Sequence, residues 1–209
     1  MIALIKIQRT NTLEDIENSP LLNKLTWDVQ HESVNEHINL SYHLVDISRE
    51  VIIEMNRHRI GIGTSQRSTR YTLDTLVNRW CALRDNHTPE THDLYHLAIA
   101  KNIVDLDETM VAITADYIFR KLFVYNEEQP LIKGLTGSKK KKQNDRVKRC
   151  LPEVWLMEGI WTFNLRALKH FIDLRKGANA YYGIREVVEA IIEATPQKYL
   201  DLCLKPKVK

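Results

Sequence analysis

At 209 residues, with 44% hydrophobic and 27% charged residues, the chain is long enough to bury a sizeable core and is not of disordered composition. Its formal net charge is only +3, which excludes a polycation, so any affinity for nucleic acid has to come from local clustering. Cys81, Cys150 and Cys203 are scattered, odd in number and outside any Cys-x-x-Cys spacing. A disulfide framework and a thiolate zinc centre are therefore not expected, and a reducing, cytoplasmic location is.

The N-terminus, Met1 to Lys6, is too short an apolar run for a signal peptide and reads as a first strand. No apolar stretch approaches the ~20 residues of a membrane span, so no membrane partner is expected. A helix follows around Pro20 to Trp27, then a strand around Ile38 to Val45. Val51, Ile52 and Met55 recur at helical spacing, which predicts a helix beginning near Ser48 and holding Arg57, His58 and Arg59 in its last turn, where cations suit the macrodipole. Ile60 to Tyr71, rich in threonine and small residues, reads as a turn into a strand carrying Ser68. Thr88-Pro89-Glu90 is an N-cap with proline at the first helical position, and the pattern to about Leu122 predicts one long amphipathic central helix. A turn-rich basic loop spans 134–149. A strand from about Val154 to Trp161, a helix to Lys176, a loop at Gly177 and a last helix from Ile184 to Ala194, ending before Pro196, complete the chain. No internal repeat is visible. The sum is an α+β fold, a mainly antiparallel sheet flanked by helices in a single domain over residues 1–209.

Between Arg57 and Tyr71 stand four arginines, a histidine, two glycines and several hydroxyls, a concentration suited to a ligand with several negative charges. A solvated basic face or a nucleic-acid patch is the competing reading. Only seven glycines occur and none form Gly-x-Gly-x-x-Gly, so a Rossmann-type dinucleotide site is not expected. His92 and His96 have a zinc-chelating i, i+4 spacing, but no third ligand accompanies them and no metal site is expected.

Arg57-His58-Arg59 followed by Ser68-Thr69-Arg70-Tyr71, the upstream segment His31 to His37 with Ser48-Arg49, and the downstream Leu151-Pro152 and Thr162 to Arg175 together resemble the flavin-dependent thymidylate synthases over roughly residues 25 to 192. The resemblance implies reductive methylation of dUMP to dTMP with FAD as cofactor and methylenetetrahydrofolate and NADPH as co-substrates. It also implies a homotetramer whose sites are shared between subunits. It places Ser33, Arg57, His58, Arg59, Gln66, Asn164, Leu165, Arg166 and His170 at the flavin. Glu54, Arg57, Gln66, Arg67, Ser68, Thr69, Arg70, Lys148 and Arg175 are placed at the nucleotide, with Arg175 catalytic through a fixed cation beside the uracil. Ser68 is then a binding residue and no protein nucleophile is needed. At 100° per residue Asn164 and Arg175 fall within ~20° on the helix wheel and ~16 Å apart, with Arg166 and His170 on the opposite side, so one helix can address two ligands or two subunits.

The chain departs from the family pattern at several points. Eight residues, rather than seven, separate Arg59 from Ser68, and the extra one has to be absorbed by a bulge or a looser turn, with Gly61 and Gly63 as candidates. Glu54 stands where glutamine is usual, and Lys148 where an arginine is usual, so a bidentate fork is lost there. Ala180-Tyr181-Tyr182-Gly183-Ile184-Arg185 replaces Ala-Gln-Trp-Glu-Ile-Arg. Lys139 to Lys142 with Arg146, Lys148 and Arg149 form a mobile, solvated loop that could also attract folate polyglutamate or NADPH. Two alternatives stand beside dUMP methylation: a related flavin-dependent modification of another pyrimidine nucleotide, and a non-catalytic nucleic-acid-binding relative.

Overall fold

The computed structural model describes residues 18–68, 73, 109–118 and 136–204. The expected first strand, the helix start at Thr88 and the pair His92 and His96 lie outside the described residues. Of the expected long helix, residues 109–118 are described and are helical, with Ala115 and Ile118 at 0% exposure. In chain order the elements are α1 (Pro20–Asn23), continuing as a π-helical turn (Lys24–Asp28), α2 (Glu32–Asn35), β1 (Asn39–Ser48), α3 (Arg49–Met55) and β2 (Ile62–Gln66). Then come α4 (Gly137–Val147) with a 3-10 turn (Lys148–Cys150), β3 (Leu156–Asn164), α5 (Leu165–Arg175), α6 (Tyr182–Ala194) and α7 (Gln197–Leu204). Among the described residues no helix is long and apolar enough to cross a membrane.

The three strands form one sheet in the order β1-β3-β2. Both pairings are antiparallel. The Leu165 amide donates to Ile38 and the Arg49 amide to Trp155, while the Asn164 amide donates to Gly61 and the Arg67 amide to Glu158. Between Gly61 and Arg67 the β2 and β3 residues advance in equal steps, so this ladder is regular. β1 is not. Ser41 faces Thr162 through a 2.7 Å hydroxyl pair, whereas Arg49 bonds Trp155, leaving β1 one residue longer than the stretch of β3 beside it. Asp46, at φ +56, is where the extra residue sits, and the alternation of exposure breaks there with Val45 and Asp46 both exposed. This is a β-bulge, with aspartate in the left-handed region that it tolerates better than most residues.

The chain divides into two compact units. In the first (1–43, 55–64 and 160–209), α2, α6 and α7 pack on α5, whose buried face is Leu165, Leu168, Phe171 and Ile172. Trp161 and Phe163 of β3 and Ile184, Val188 and Ile191 of α6, all at most 1% exposed, complete that core. Each such side chain contributes about 1.5–3 kcal/mol by leaving water. Tyr42 is fixed at its rim by a 2.7 Å hydroxyl bond with Thr195. In the second unit (44–54 and 65–159) the predicted apolar face of α3 is buried, with Val51 at 4% and Ile52 at 5% exposure, alongside Leu73, Val147, Leu151 and Trp155.

Three expectations are corrected. The helix near Ser48 stops at Met55, with the His58 amide closing a turn on the Met55 carbonyl, so Arg57, His58 and Arg59 lie beyond its end. The basic stretch is no loop over most of its length. Lysine is a good helix former, no glycine or proline interrupts 138–147, and Asn144 (2%) and Val147 (1%) anchor α4 by one buried edge. The helix that stops before Pro196 is not the last one: the Pro196 carbonyl accepts the Tyr199 and Leu200 amides and opens α7.

Within α7, Cys203 is 2% exposed, and burial pushes its thiol up to about 11, with Lys169 lowering and Asp173 raising it by less. An unfolded chain ionises this thiol near its ordinary value of 9.0 and the folded chain does not until about 11, so the folded state loses stability as pH rises through that window. Urea titrations between pH 8 and 11 are expected to show a steeper loss of stability for the natural chain than for Cys203→Ala; equal slopes would remove this contribution.

Candidate functional site

Helix α5 organises the candidate site in the first unit. It begins where it does because Asn164, with φ −72 and ψ 157, is a non-helical N-cap whose Oδ1 accepts the Ala167 amide at 2.8 Å. The turn that precedes β2 meets this N-terminus. The Gly61 carbonyl accepts the Asn164 amide at 2.8 Å, and Gly61 adopts φ +72, a conformation that glycine alone takes without cost. A Cβ at Gly61 would lie 2.5 Å from Asn164 Nδ2. With Oδ1 used by the cap, the Asn164 amide nitrogen is what this side chain has to offer a ligand.

A cavity of about 700 Å³ opens here, bounded by Ile60, Gly61, Asn164, Ala167 and His170 and by charged groups on two helices. Two fixed cations, Arg166 and Lys169, stand against three carboxylates, Glu32, Glu36 and Asp173. The Arg166 guanidinium is paired with Glu36 and, at 3.8 Å, with Glu32. Ile60 is 93% exposed, an apolar surface at the cavity's edge. The expectation of two separate faces is corrected: Asn164, Arg166 and His170 line one cavity. Asn164 caps the helix rather than belonging to it, so its angular distance from the other two on the wheel has no meaning.

Arg175, half-buried in the last turn of α5, donates from Nε to His58 Nε2 at 2.9 Å. The His58 ring stands edge-on to Phe171, with centroids 5.0 Å apart, and 6.4 Å from the His170 ring. Asn164 and Arg175, at opposite ends of α5, thus both engage the segment from His58 to Gly61, Asn164 through its backbone amide and Arg175 through its side chain. Arg57 and Arg59 flank His58 with exposed side chains, and His170 is exposed as well. Leu165 is different: at 1% exposure its side chain belongs to the core, and its amide bonds the Ile38 carbonyl. Ser33 is exposed, its hydroxyl 2.8 Å from His31 Nδ1.

The remaining expected nucleotide residues fall in the second unit. Glu54 is half-buried on α3, Gln66 ends β2, and Arg67 and Ser68 follow it with exposed side chains; Thr69 and Arg70 lie outside the described residues. Arg67 is paired with Glu158 across the ladder at 3.2 Å. Lys148 is exposed at the start of the 3-10 turn. The segment after it is fixed by Arg49, whose Nη1 donates to the carbonyls of Leu151 (2.9 Å) and Pro152 (3.3 Å). Because the β2 ladder is regular, the extra residue before Ser68 is not a bulge between Gly61 and Arg67. Gly61, with its positive φ in the preceding turn, fits the looser-turn alternative, and Gly63 has no such conformation.

Sequence reasoning overlooked Glu32, Glu36, Ile60, Lys169 and Asp173. The acidic pair at i, i+4 on and after α2 was a usable signal. Its partner, Arg166, stands 130 positions away from Glu36 and could not be inferred from spacing.

Comparisons with known proteins agree with one another. The model of a family described as thymidylate synthase complementing protein matches residues 3–199. The flavin-dependent thymidylate synthase of Wolinella succinogenes is 30% identical over 176 residues, covering 84% of this chain and 76% of that protein. The enzyme of the same description from Campylobacter jejuni is 29% identical over 184 residues, covering 88% and 78%. A crystal structure of thymidylate synthase X from Helicobacter pylori with FAD and dUMP superposes with a TM-score of 0.64 at 20% identity, covering 90% of this chain and 86% of that one, a likeness of fold.

The close approach at Gly61 gives a local test. Gly61→Ala is expected to cost about 1–3 kcal/mol in urea unfolding through the left-handed φ and the Asn164 contact. Gly63→Ala, which meets nothing within 4 Å, is expected to stay within about 0.5 kcal/mol. Equal effects of the two would contradict the packing described.

Proposed function

The chain belongs to the thymidylate synthase complementing protein family, and from that membership we propose that it methylates dUMP to dTMP, with FAD as flavin, methylenetetrahydrofolate as carbon donor and NADPH as reductant. The observation that carries this reading is that α5 and the turn beside it hold Asn164, Arg166 and His170 around one cavity and bond Arg175 to His58, whose ring lies 6.4 Å from that of His170. Ser33, Arg57, His58, Arg59, Asn164, Arg166 and His170 hold the flavin in this reading, and Gln66 is shared between flavin and nucleotide.

The cavity's composition fits part of such a cofactor better than the whole. Its volume lies in the range of small-molecule sites, Ile60 offers an apolar surface to a flat ring, and Asn164 offers a donor to a ring edge. Three carboxylates against two cations suit a ring or a ribose and would repel a pyrophosphate. The exposed guanidiniums of Arg57 and Arg59 are better placed chemically for phosphates, with a fork matched to their oxygens. Bound reduced flavin supplies the hydride that replaces the missing methyl hydrogen, so no thiol nucleophile is called for. Buried Cys203, held as a thiol, fits that scheme.

Glu54, Gln66, Arg67, Ser68, Thr69, Arg70 and Lys148 bind dUMP in this reading. Arg175 lies against the pyrimidine, where a fixed cation stabilises charge that develops on the ring and raises the nucleophilicity of C5. Assembly as a homotetramer is supported by Met110, Ile113 and Tyr117, exposed at 46%, 56% and 53% along one stripe of the 109–118 helix, a face suited to burial against another copy. We place the enzyme in the cytosol.

The test is direct. Purified protein is expected to be yellow with bound flavin and to release tritium from C5-labelled dUMP when supplied with methylenetetrahydrofolate and NADPH. Arg175→Ala is expected to keep its flavin and lose roughly 100- to 1,000-fold in turnover. A colourless protein with salt-sensitive DNA binding, or a fully active Arg175→Ala, would overturn this reading.

A further inference from the structure

The hydrogen bond between Arg175 and His58 has a chemical direction. A guanidinium donates and never accepts, so an Nε of Arg175 at 2.9 Å from His58 Nε2 requires that nitrogen to carry a lone pair and no proton. The imidazole is then neutral and protonated at Nδ1, the tautomer being dictated by its partner. The ring has little freedom to turn away. It is half-buried, set edge-on against Phe171 at 5.0 Å, and followed by Gly61, whose carbonyl is bonded to Asn164 at the other end of the same helix.

Arginine, by contrast, is a long side chain with large rotamer freedom, and a directional acceptor for its Nε–H restricts where the guanidinium plane can lie. We propose that His58 is a positioning residue for Arg175, its Nδ1-protonated imidazole accepting the Arg175 Nε–H and thereby setting the orientation of the guanidinium plane. The hydrogen bond itself is a matter of geometry; its catalytic consequence rests on the reading of Arg175 as the residue that addresses the pyrimidine. This adds a function to His58 that flavin contact does not require, because it is directed at Nε2 specifically.

The position of the acceptor supplies the test. In glutamine Oε1 reaches about where Nε2 stands, whereas the shorter asparagine reaches only the Nδ1 position. With the full-length flavin-loaded enzyme, His58→Gln is expected to retain roughly 10- to 100-fold more kcat/KM for dUMP than His58→Asn, at equal flavin content. Histidine-selective 15N NMR of the unsubstituted chain is expected to show His58 protonated at Nδ1, and Arg175→Ala to shift it toward the Nε2-protonated form. An Nε2-protonated or doubly protonated His58 at neutral pH in the natural chain would overturn the proposal whether or not any variant folds. Equal losses in the glutamine and asparagine variants, tracking flavin content, would overturn it as well by assigning His58 to the cofactor alone. Absence of dUMP turnover in the unsubstituted enzyme would defeat the functional reading instead, and the tautomer measurement would still decide the Arg175–His58 interaction.

Discussion

The attachment of residues 58–61 to both ends of α5 is the constraint on which the candidate site depends. At the N-terminal end the Gly61 carbonyl takes the Asn164 amide as β3 turns into the helix, and at the C-terminal end His58 takes the Arg175 guanidinium. Between these two points the face of the helix is occupied by Phe171, against which His58 is packed. A short turn is thereby laid along a helix of eleven residues and cannot slide, because a backbone bond fixes one end and a directional side-chain bond the other. Everything that the first unit offers a ligand follows from this: Asn164 is aimed by its cap, Ile60 stands out at the cavity's edge, and Arg57 and Arg59 face water on either side of a seated histidine.

The electrostatics of the cavity are of a different kind, adjustable rather than fixed. Arg166 is a little over half exposed and its carboxylate partners more than a third, which places these ion pairs in the class that contributes about 0–1 kcal/mol. A guanidinium held so lightly can exchange its partners for a ligand group at small cost. The pairing with α2 keeps that arginine extended across the cavity in the meantime, so the ordering of a flexible side chain is already accomplished before binding. Arg49 shows the opposite case: half-buried and bonded to two backbone carbonyls, it fixes the segment after Lys148 and has no comparable freedom.

What the sequence made legible was whatever is written in local period or in family spacing. The apolar face of α3, the strand after Ile38, the helix ending near Lys176 and the stop before Pro196 follow from hydrophobic repeats and caps, and the motif residues from resemblance. The errors have physical causes. The helix carrying Val51 and Met55 was extended through Arg57 because cations suit a C-terminus, but the polar Asn56 to Arg59 make no buried face to hold another turn. The charge and flanking glycines of residues 137–147 suggest a loop, and the two buried positions that secure them as a helix, Asn144 and Val147, are too few to form a visible pattern. Pro196 ended one helix and began another, and only the first role was recognised. The Arg166 pairs and the Arg49 carbonyl contacts join residues more than a hundred positions apart, and single-sequence periodicity carries nothing about them.

Asp46 carries a separate lesson about how β1 is phased. Ahead of it, the even-numbered positions Leu40, Tyr42 and Leu44 turn toward the interior, and after it Ile47 and Ser48 do. The extra residue therefore acts as a half-period delay, letting one continuous strand satisfy two stretches of partner that would otherwise demand opposite parity. Removing Asp46 would give an even ladder in which Ile47 takes the same inward phase as Leu40, Tyr42 and Leu44, whereas one further residue added there would turn Ile47 to the wet side. Whether a change of chain length along β1 keeps its apolar side chains inward is thus decided by parity relative to this delay, a rule set by pleat geometry and independent of any bound ligand.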